Sequence, residues 1–434
     1  MEHQLTSTSP PTAEISTPKI PFSFEKLVWP AAEEALRSLK ERKPNALIHG
    51  TPGSSKAFLL AWFYQHLKEK NPWFLVTPTR EEALILLDDL SNWLPQVPVY
   101  LCPSWETLPH DTETPDPELV GERQRVFYQL LQEESCIVVS PLMGALQGTL
   151  SPEEWIDQVM ILKKGQDVPS NLKERLVALG YEPVTQVVRL GQFAMRGGIL
   201  DVASPGSPSG PVRLEFFGDT LDSVRPLDIL NQRSSGNLEE VHLFPAHEVF
   251  LKDETRYNLR QALKNKIKQG TEQSPARWAT DALELFNQTH QFPGWQWQAV
   301  GALEKRACLF DYLPENTRVF LLEPLAFERK WEELQDVLAG CNRQAAEDGA
   351  DLFDAEDLFS DIRFLQSAVK KGKGAALAQI DQELFGKPPD FTHPVPGRSL
   401  PPYYGKFATF AGDLEKWLSS KAQEVAHSQV ELAQ

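Results

Sequence analysis

Short apolar runs at "NALIH" (45–49), "PWFLVTP" (72–78), "VPVYL" (97–101) and "SCIVVS" (135–140) punctuate the first third of the chain. Helical stretches separate them: "KAFLLAWFYQHLKEK" (56–70), "REEALILLDDLSNWL" (80–94) and "PELVGERQRVFYQLLQEE" (117–134). The amphipathic "FEKLVWPAAEEALRSLKER" comes before them all. Strands that alternate with helices form a parallel sheet covered on both faces. Such a sheet binds ligands beyond the carboxyl ends of its strands. The alternation therefore predicts an α/β domain over residues 22–147, with a candidate ligand edge directly after "NALIH".

The pattern changes further on. Residues 181–229 are rich in strand signals and hold no long helix. "ASPGSPSGP" (203–211) is a turn cluster between two extended runs, and Gly218-Asp219 is a tight turn inside "PVRLEFFGDTLDSVRP". A mainly antiparallel α+β domain is expected over 148–232, inserted into the α/β chain. Helical stretches then run to 345, giving a further domain over 233–345. An acidic segment, "DGADLFDAEDLFSD", and a Pro-rich one, "GKPPDFTHPVPGRSLPPYYG", read as a linker over 346–405. Residues 406–434 read as one helix that opens an incomplete further domain.

A chain of 434 residues exceeds a single core, so several domains are expected. The net charge of −17 weakens attraction to phosphate backbones and anionic membranes. Cys102, Cys136, Cys308 and Cys341 are widely spaced, with no C-x-x-C pattern. No metal site or disulfide framework is expected, and the pattern suits a reduced cytoplasm. Residues 1–21 are polar and Pro/Thr-rich, and read as a disordered tail without a signal peptide. No apolar run reaches membrane-spanning length.

At the candidate ligand edge stands "GTPGSSKA" (50–57), close to the phosphate-binding pattern G-x-x-x-x-G-K-[ST]. Gly50, Gly53 and Lys56 are present. Ser55 replaces the second Gly, which lets the backbone curl around phosphate oxygens. Ala57 replaces the Ser/Thr whose hydroxyl binds Mg²⁺. Nucleotide turnover also needs a carboxylate to hold the metal and orient water. Asp253-Glu254 is the only Asp-Glu dipeptide, and its polar setting reads as a helix start. No ATP, no cofactor and no catalytic residue are expected of this chain.

The strand-rich segment carries "GQFAMRGGILDV" (191–202) and "RLEFFGDTLDSVRPLD" (213–228). Together with "SWETLPHD" (104–111), "LFPAHE" (243–248) and "LFDYLPEN" (309–316), these resemble the UvrB-homology region of the bacterial transcription-repair coupling factors, the Mfd family. The resemblance covers roughly residues 22–345. It implies a degenerate P-loop NTPase-like fold (UvrB-like domains 1A and 1B) split by an inserted UvrA-binding domain. It also implies that this half-motor is catalytically dead, with the ATP-driven translocase lying in a part absent here. UvrB itself fits less well, because it has an intact P-loop and a long aromatic hairpin where this chain has only the short run from Ser140 to Leu162.

Within the resemblance, the two strands named first line the surface that meets UvrA. Carried over residue by residue, this implicates Gln192, Phe193, Arg196, Arg213 and Glu215, with Arg189 beside them. Gly197-Gly198 is expected to kink the strand so that Phe193 and Arg196 share a face. The pattern alone favours packing of Phe193 inside the domain and local pairing of Arg196 with Asp201 or Glu215. Relatives often carry a basic residue after the Gly-Tyr that opens this domain, whereas Glu182-Pro183 follow Gly180-Tyr181 here. The basic run "LKNKIKQ" (263–269) reads as a solvated helix face and "GWQW" (294–297) as core. Asp111, Glu113 and Asp116 form a loop rather than an acid/base pair.

The expected function is a non-catalytic module that recruits UvrA in transcription-coupled nucleotide excision repair. Its partners are UvrA and the remainder of a coupling factor, with DNA bound only weakly or indirectly. Two alternatives stand beside it: a P-loop-derived ATPase or DNA helicase subunit, and the truncated product of a split gene.

Overall fold

The computed structural model describes residue 24 and residues 27–270, 276–397, 406–416 and 419. It divides into Met1–Val395 and Pro396–Gln434. The tail over residues 1–21 lies outside the described residues. In the second unit residues 407–416 are helical.

The strand–helix alternation forms as the sequence predicts. In order come α1 (Pro30–Lys40), β1 (Ala46–His49), α2 (Ser55–Leu67), β2 (Trp73–Thr77), α3 (Arg80–Trp93), β3 (Val99–Leu101), α4 (Pro117–Leu131) and β4 (Ile137–Pro141). The helix starts are written in local chemistry. The Thr79 hydroxyl accepts from Glu82 N at the head of α3, and the Asp116 carboxylate accepts from Glu118 N ahead of Pro117 in α4.

Two short helices, α5 (Leu142–Leu146) and α6 (Pro152–Ile156), lead into the inserted region. This holds β5 (Met160–Lys163), α7 (Leu172–Ala178), β6 (Glu182–Pro183), β7 (Gln192–Arg196), β8 (Ile199–Val202), β9 (Val212–Phe217), β10 (Thr220–Asp228), β11 (Arg233–Ser234) and β12 (Glu240–Leu243). The chain returns through α8 (Asp253–Gln269), α9 (Arg277–Thr289), α10 (Trp295–Ala302), β13 (Arg318–Leu322), α11 (Pro324–Asp348), α12 (Arg363–Lys370), β14 (Gly374–Ala378) and β15 (Phe391–Pro394).

The large sheet is seven-stranded, in the order β15-β1-β14-β13-β2-β4-β3, and every pairing in it is parallel. Alternate residues of each strand supply opposite faces. Leu47, Phe74, Val76, Val138 and Leu321 join one core with α4 and α12. Ala46, Ile48, Leu75, Val139 and Phe320 join the other with α1, α2 and α3. A third core, around Trp105, Trp297 and Phe286, lies among α8, α9, α10 and α11. Trp295 and Trp297 are buried, as expected for "GWQW".

Two expected boundaries shift. The linker over 346–405 is not a linker as far as residue 395: β14 lies inside the sheet between β1 and β13, and β15 forms its edge. The signal was weak because "GAALA" has no β-branched or aromatic residue. Small residues are required there, since a Cβ on Gly374 would strike the Val319 carbonyl. Residues 398–405 lie outside the described residues. The inserted domain, expected over 148–232, begins and ends later. Leu150 and Trp155 belong to the large core, whereas β12 pairs antiparallel with β5, Glu240 opposite Lys163. That ribbon closes the insert across its entry and exit. Its main sheet runs β11-β10-β9-β8-β7-β6, antiparallel except for β6 with β7, over a core of Phe193, Leu200, Leu214 and Val224.

One buried ion pair fastens the insert's exit to the α/β domain. Arg123 of α4 and Glu248, just after β12, have no exposed side-chain surface. Arg123 Nε and Nη2 donate to the two carboxylate oxygens of Glu248 at 2.7 and 3.0 Å. Arg123 Nη1 donates to the Pro103 and Gly144 carbonyls, and Trp105 Nε1 donates to Glu248 at 2.7 Å. Burial is the largest single influence and opposes the charge on Arg123, but the Glu248 carboxylate, with smaller help from Cys102 and Tyr312, raises the arginine pKa overall. The same burial pushes the neighbouring Cys102 thiol up to about 12. The four cysteines are free. Among the described residues, no helix is long and apolar enough to cross a membrane.

Removing either charge strands the other in a dry interior, so Arg123→Ala or Glu248→Ala is expected to cost about 3–5 kcal/mol, read as a lower midpoint in urea. A second consequence concerns pH. His247 is half-buried, packed on Gly180 and across Trp295, and the desolvation there lowers its pKa from 6.5 to about 4. The unfolded chain takes up this proton first as pH falls. The contribution is therefore complete above pH 6.5 and lost on descent to about 4. It amounts to about 3 kcal/mol. Denaturant titrations at pH 7 and pH 4.5 should show a loss of this order, part of which His247→Phe should abolish.

Candidate functional site

The antiparallel sheet of the insert has an inner and an outer face. Phe193, Met195, Leu200, Val202, Leu214 and Phe216 alternate onto the inner face. The register puts Arg196 opposite Ile199, Ile199 opposite Glu215, and Glu215 opposite Ser223, which forms one outer row. Ala194, Asp201, Arg213 and Arg225 form the next. Phe217 follows Glu215 by two positions and so shares the outer face.

The structure brings Arg196, Arg213 and Glu215 together there. It separates Phe193, which is 1% exposed and packed in the insert's core. The expected kink does not turn Phe193 outward. Instead Gly197 (φ +58°) and Gly198 make the turn between β7 and β8. Gln192 is also buried and organises the loop before β7. Its carbonyl accepts from Val188 N and Arg189 N, and its amide donates to Glu182. Arg189 donates to the same Glu182 oxygen at 2.8 Å. The Gln192 hydrogen bond, and after it Arg189, hold the Glu182 carboxyl below its usual value. The acidic departure at position 182 thus neutralises Arg189 locally.

The outer-face charges differ in their freedom. Arg213 forks onto Asp201, Nε to Oδ1 at 2.6 Å and Nη2 to Oδ2 at 2.9 Å. Those hydrogen bonds hold the Arg213 pKa above its ordinary value. Glu215 accepts from the Ser223 hydroxyl at 2.8 Å and lies 3.5 Å from Arg225. Arg196 is exposed and makes no ion pair among the described residues. On the same outer face are two exposed apolar side chains that the motif reading passed over: Ile199, directly opposite Arg196, and Phe217, two strands away on β9 and 86% exposed. The doubled Phe of "EFFGD" was the available signal. Alternation sends one ring inward and the other out, and only the register decides which. A free guanidinium and an exposed ring on one face are the residue types that commonly form interface hot spots.

The other candidate edge is the carboxyl end of the parallel sheet. Gly50 (φ +91°) and Gly53 (φ +52°) shape the loop after β1. Ser55 is not strained, because it begins α2. The amides of Ser55 and Lys56 donate to the loop's own carbonyls at Pro52 and Gly53. Ala57 is buried in the core and has no hydroxyl to offer a metal. Lys56 Nζ sits 2.6 Å from Glu323 Oε1.

Sequence reasoning missed Glu323. It follows the fully buried β13, so "RVFLLE" has the form of an acid-bearing strand end in a nucleotide site. The search for Asp-Glu led instead to the first turn of α8, where Asp253 is an exposed partner of Arg256. The cleft at Lys56, of about 170 Å³, is lined also by Glu82 and Asp89. Burial raises the Glu82 pKa, and the Glu323 charge adds to it. A triphosphate here would meet three carboxylates and a lysine already neutralised.

The remaining candidates are structural. Asp111 accepts from Leu108 N and Asp116 caps α4. In the basic run of α8, Lys266 pairs with Asp351.

The fold is thus a parallel α/β half whose Lys56 is paired with Glu323, carrying an inserted antiparallel domain whose outer face is exposed at Arg196, Ile199 and Phe217. Residues 160–249 match the UvrB interaction domain family. That match begins at the first residue of β5 and ends one residue past Glu248. Over 406 residues, 89% of the chain, it is 29% identical to the transcription-repair-coupling factor of Bacillus subtilis, covering 33% of that protein. It is 32% identical over 255 residues to the Haemophilus influenzae factor, with 58% of the chain and 21% of the relative covered. With the Escherichia coli factor it shares 32% over 203 residues, 46% of the chain and 17% of the relative. The chain thus carries a UvrB interaction domain, is similar to transcription-repair-coupling factors, and spans about a third or less of their length.

The two faces make opposite predictions for two phenylalanines. Phe193→Ala empties a packed core position and should cost about 3–5 kcal/mol. Phe217→Ala removes an exposed ring and should stay within about 0.5 kcal/mol of wild type. Parallel urea titrations check both.

Proposed function

We propose that this chain is a UvrA-docking module of transcription-coupled nucleotide excision repair, and that it turns over no nucleotide. The observation that carries the reading is the exposed part of the outer face, where unpaired Arg196 on β7, Ile199 on β8 and Phe217 on β9 follow one another across three neighbouring strands inside the region matching the UvrB interaction domain. A partner pocket with an apolar floor and an acidic rim would fit it: Phe217 supplies buried area and Arg196 reaches a carboxylate bidentately. Arg213, held by Asp201, and Glu215, held by Ser223, keep the surface rigid, which lowers the ordering cost of docking. The large sheet serves as a frame. Its relic loop is occupied by its own Lys56–Glu323 pair and by carboxylates that repel phosphate.

Calorimetry of the chain with UvrA tests the reading. Arg196→Ala and Phe217→Ala should each weaken binding by about 2 kcal/mol, roughly thirtyfold. Equal affinity for wild type and both variants, or no binding at all, would refute it. In the same preparation ATP hydrolysis should stay at background. Turnover abolished by Lys56→Ala would instead support the ATPase reading.

A further inference from the structure

In an all-parallel sheet every loop that enters a strand arrives at the same edge. Here those loops collect cations. Arg42 and Lys43 precede β1, Lys370, Lys371 and Lys373 precede β14, and Lys387 precedes β15. Neighbouring contacts show that this is one surface. Asn45 N donates to the Val369 carbonyl at 3.1 Å, and Asn45 Nδ2 donates to the Pro388 carbonyl at 3.2 Å. Gly372 packs so tightly on the Arg42 carbonyl that it admits no side chain. Lys370 and Lys387 line one depression of about 540 Å³ with Pro44, Pro389 and Asp390.

The chain carries 60 acidic residues against 43 basic ones, so acidic partners are plentiful. Yet among the described residues Arg42, Lys370, Lys371, Lys373 and Lys387 make no ion pair. Only Lys43 is paired, to Glu41 at 3.3 Å. Within the surface the acids are Glu41 and Asp390, while Glu69, whose carboxyl feels the Arg42 charge, and Glu133 and Glu315 bound it beside Arg42. The opposite, carboxyl edge has the reverse character, with Glu82, Asp89, Glu323, Glu328 and Glu332 around Lys56 and Arg329. The sheet is thus electrically polarised. Like charges gathered within a Debye length repel one another, and an anion relieves that repulsion.

We propose that this amino edge binds the phosphate backbone of duplex DNA. Its composition selects that class of partner. Lysine is a point charge suited to phosphate, whereas planar recognition of carboxylates favours arginine, and five of the six cations are lysines. An apolar cleft of about 230 Å³, lined by Phe310, Leu313 and Phe364, opens beside Lys371 and Lys373, so an acidic peptide with an apolar anchor is the competing occupant that the polyglutamate arm below addresses. Binding is non-specific and weak, because the chain's overall charge of −17 opposes it. The contact holds the module beside DNA while leaving the outer face of the insert free, and it stands whether or not that face binds UvrA.

The test is fluorescence anisotropy of the full chain with a labelled 20-base-pair duplex, from 25 to 200 mM salt. The triple variant Lys370→Glu, Lys371→Glu, Lys373→Glu should bind at least tenfold more weakly at low salt. Each lost phosphate contact should also reduce the steepness of log K against log salt by about 0.9. Lys264→Glu with Lys268→Glu, on the basic run of α8, should leave binding unchanged. The proposal is overturned if wild type fails to bind at 25 mM salt, if the triple variant binds equally, or if the α8 variant is the one that loses binding. It is also overturned if polyglutamate displaces the duplex as well as unlabelled duplex does, which would assign the edge to an acidic polypeptide. UvrA titration of the triple variant keeps this outcome separate from that of the docking reading.

Discussion

Arg123 and Glu248 are fully buried, and neither could stay charged there without the other. The pair takes its arginine from α4 and its glutamate from the segment where the inserted domain returns to the large fold. Trp105 and the carbonyls of Pro103 and Gly144 complete the arrangement. The interaction therefore has one geometry, and it fixes where the insert leaves the frame. The β5–β12 ribbon lies just before it and closes the insert into its own sheet and core. Sequence stretches that looked like independent motifs meet through these contacts. "SWETLPHD" reaches "LFPAHE" through Trp105 and Glu248, and reaches "GWQW" through Thr107 and Trp297. Such residues hold the frame together, apart from the outer face proposed to dock a partner.

The frame keeps the outline of a nucleotide site while its chemistry has been turned inward. A working loop offers amides, a lysine and a metal-binding hydroxyl to a ligand. In this loop the amides bond to its own turn, the lysine bonds to Glu323, and the hydroxyl is absent. Glu323 also accepts from Gln379 N after β14, so the pair ties three strand ends together. The relic has become part of the fold's stability, and α2 continues to pack the sheet through Ala57, Leu60 and Phe63.

The first four strands and the helices between them were legible because short apolar runs alternate with longer helical stretches, two of which, α3 and α4, also carry side-chain caps. The central β14 was not, because a sheet interior that leaves no room for a Cβ at Gly374 selects residues without strand character. β13 is apolar enough to be seen, but its meaning depends on Glu323 facing Lys56, a contact between residues far apart in sequence. The docking residues divide the same way. Arg196, Arg213 and Glu215 came from motif resemblance and lie on one face. Phe193, which the resemblance put on the docking face, packs inside as the pattern alone favoured, and Phe217, which the motif reading did not single out, lies outside, because the alternation of a strand says which residues share a side and the surrounding core says which side is inside.

The account rests on the claim that the outer face of β7, β8 and β9 is where UvrA meets this chain. Hydrogen–deuterium exchange of the chain with and without UvrA addresses it directly. Protection confined to residues 194–201 and 213–225, with the loop at 50–57 unchanged, is the predicted result. Protection centred on the carboxyl edge of the large sheet, with the insert unaffected, would contradict it.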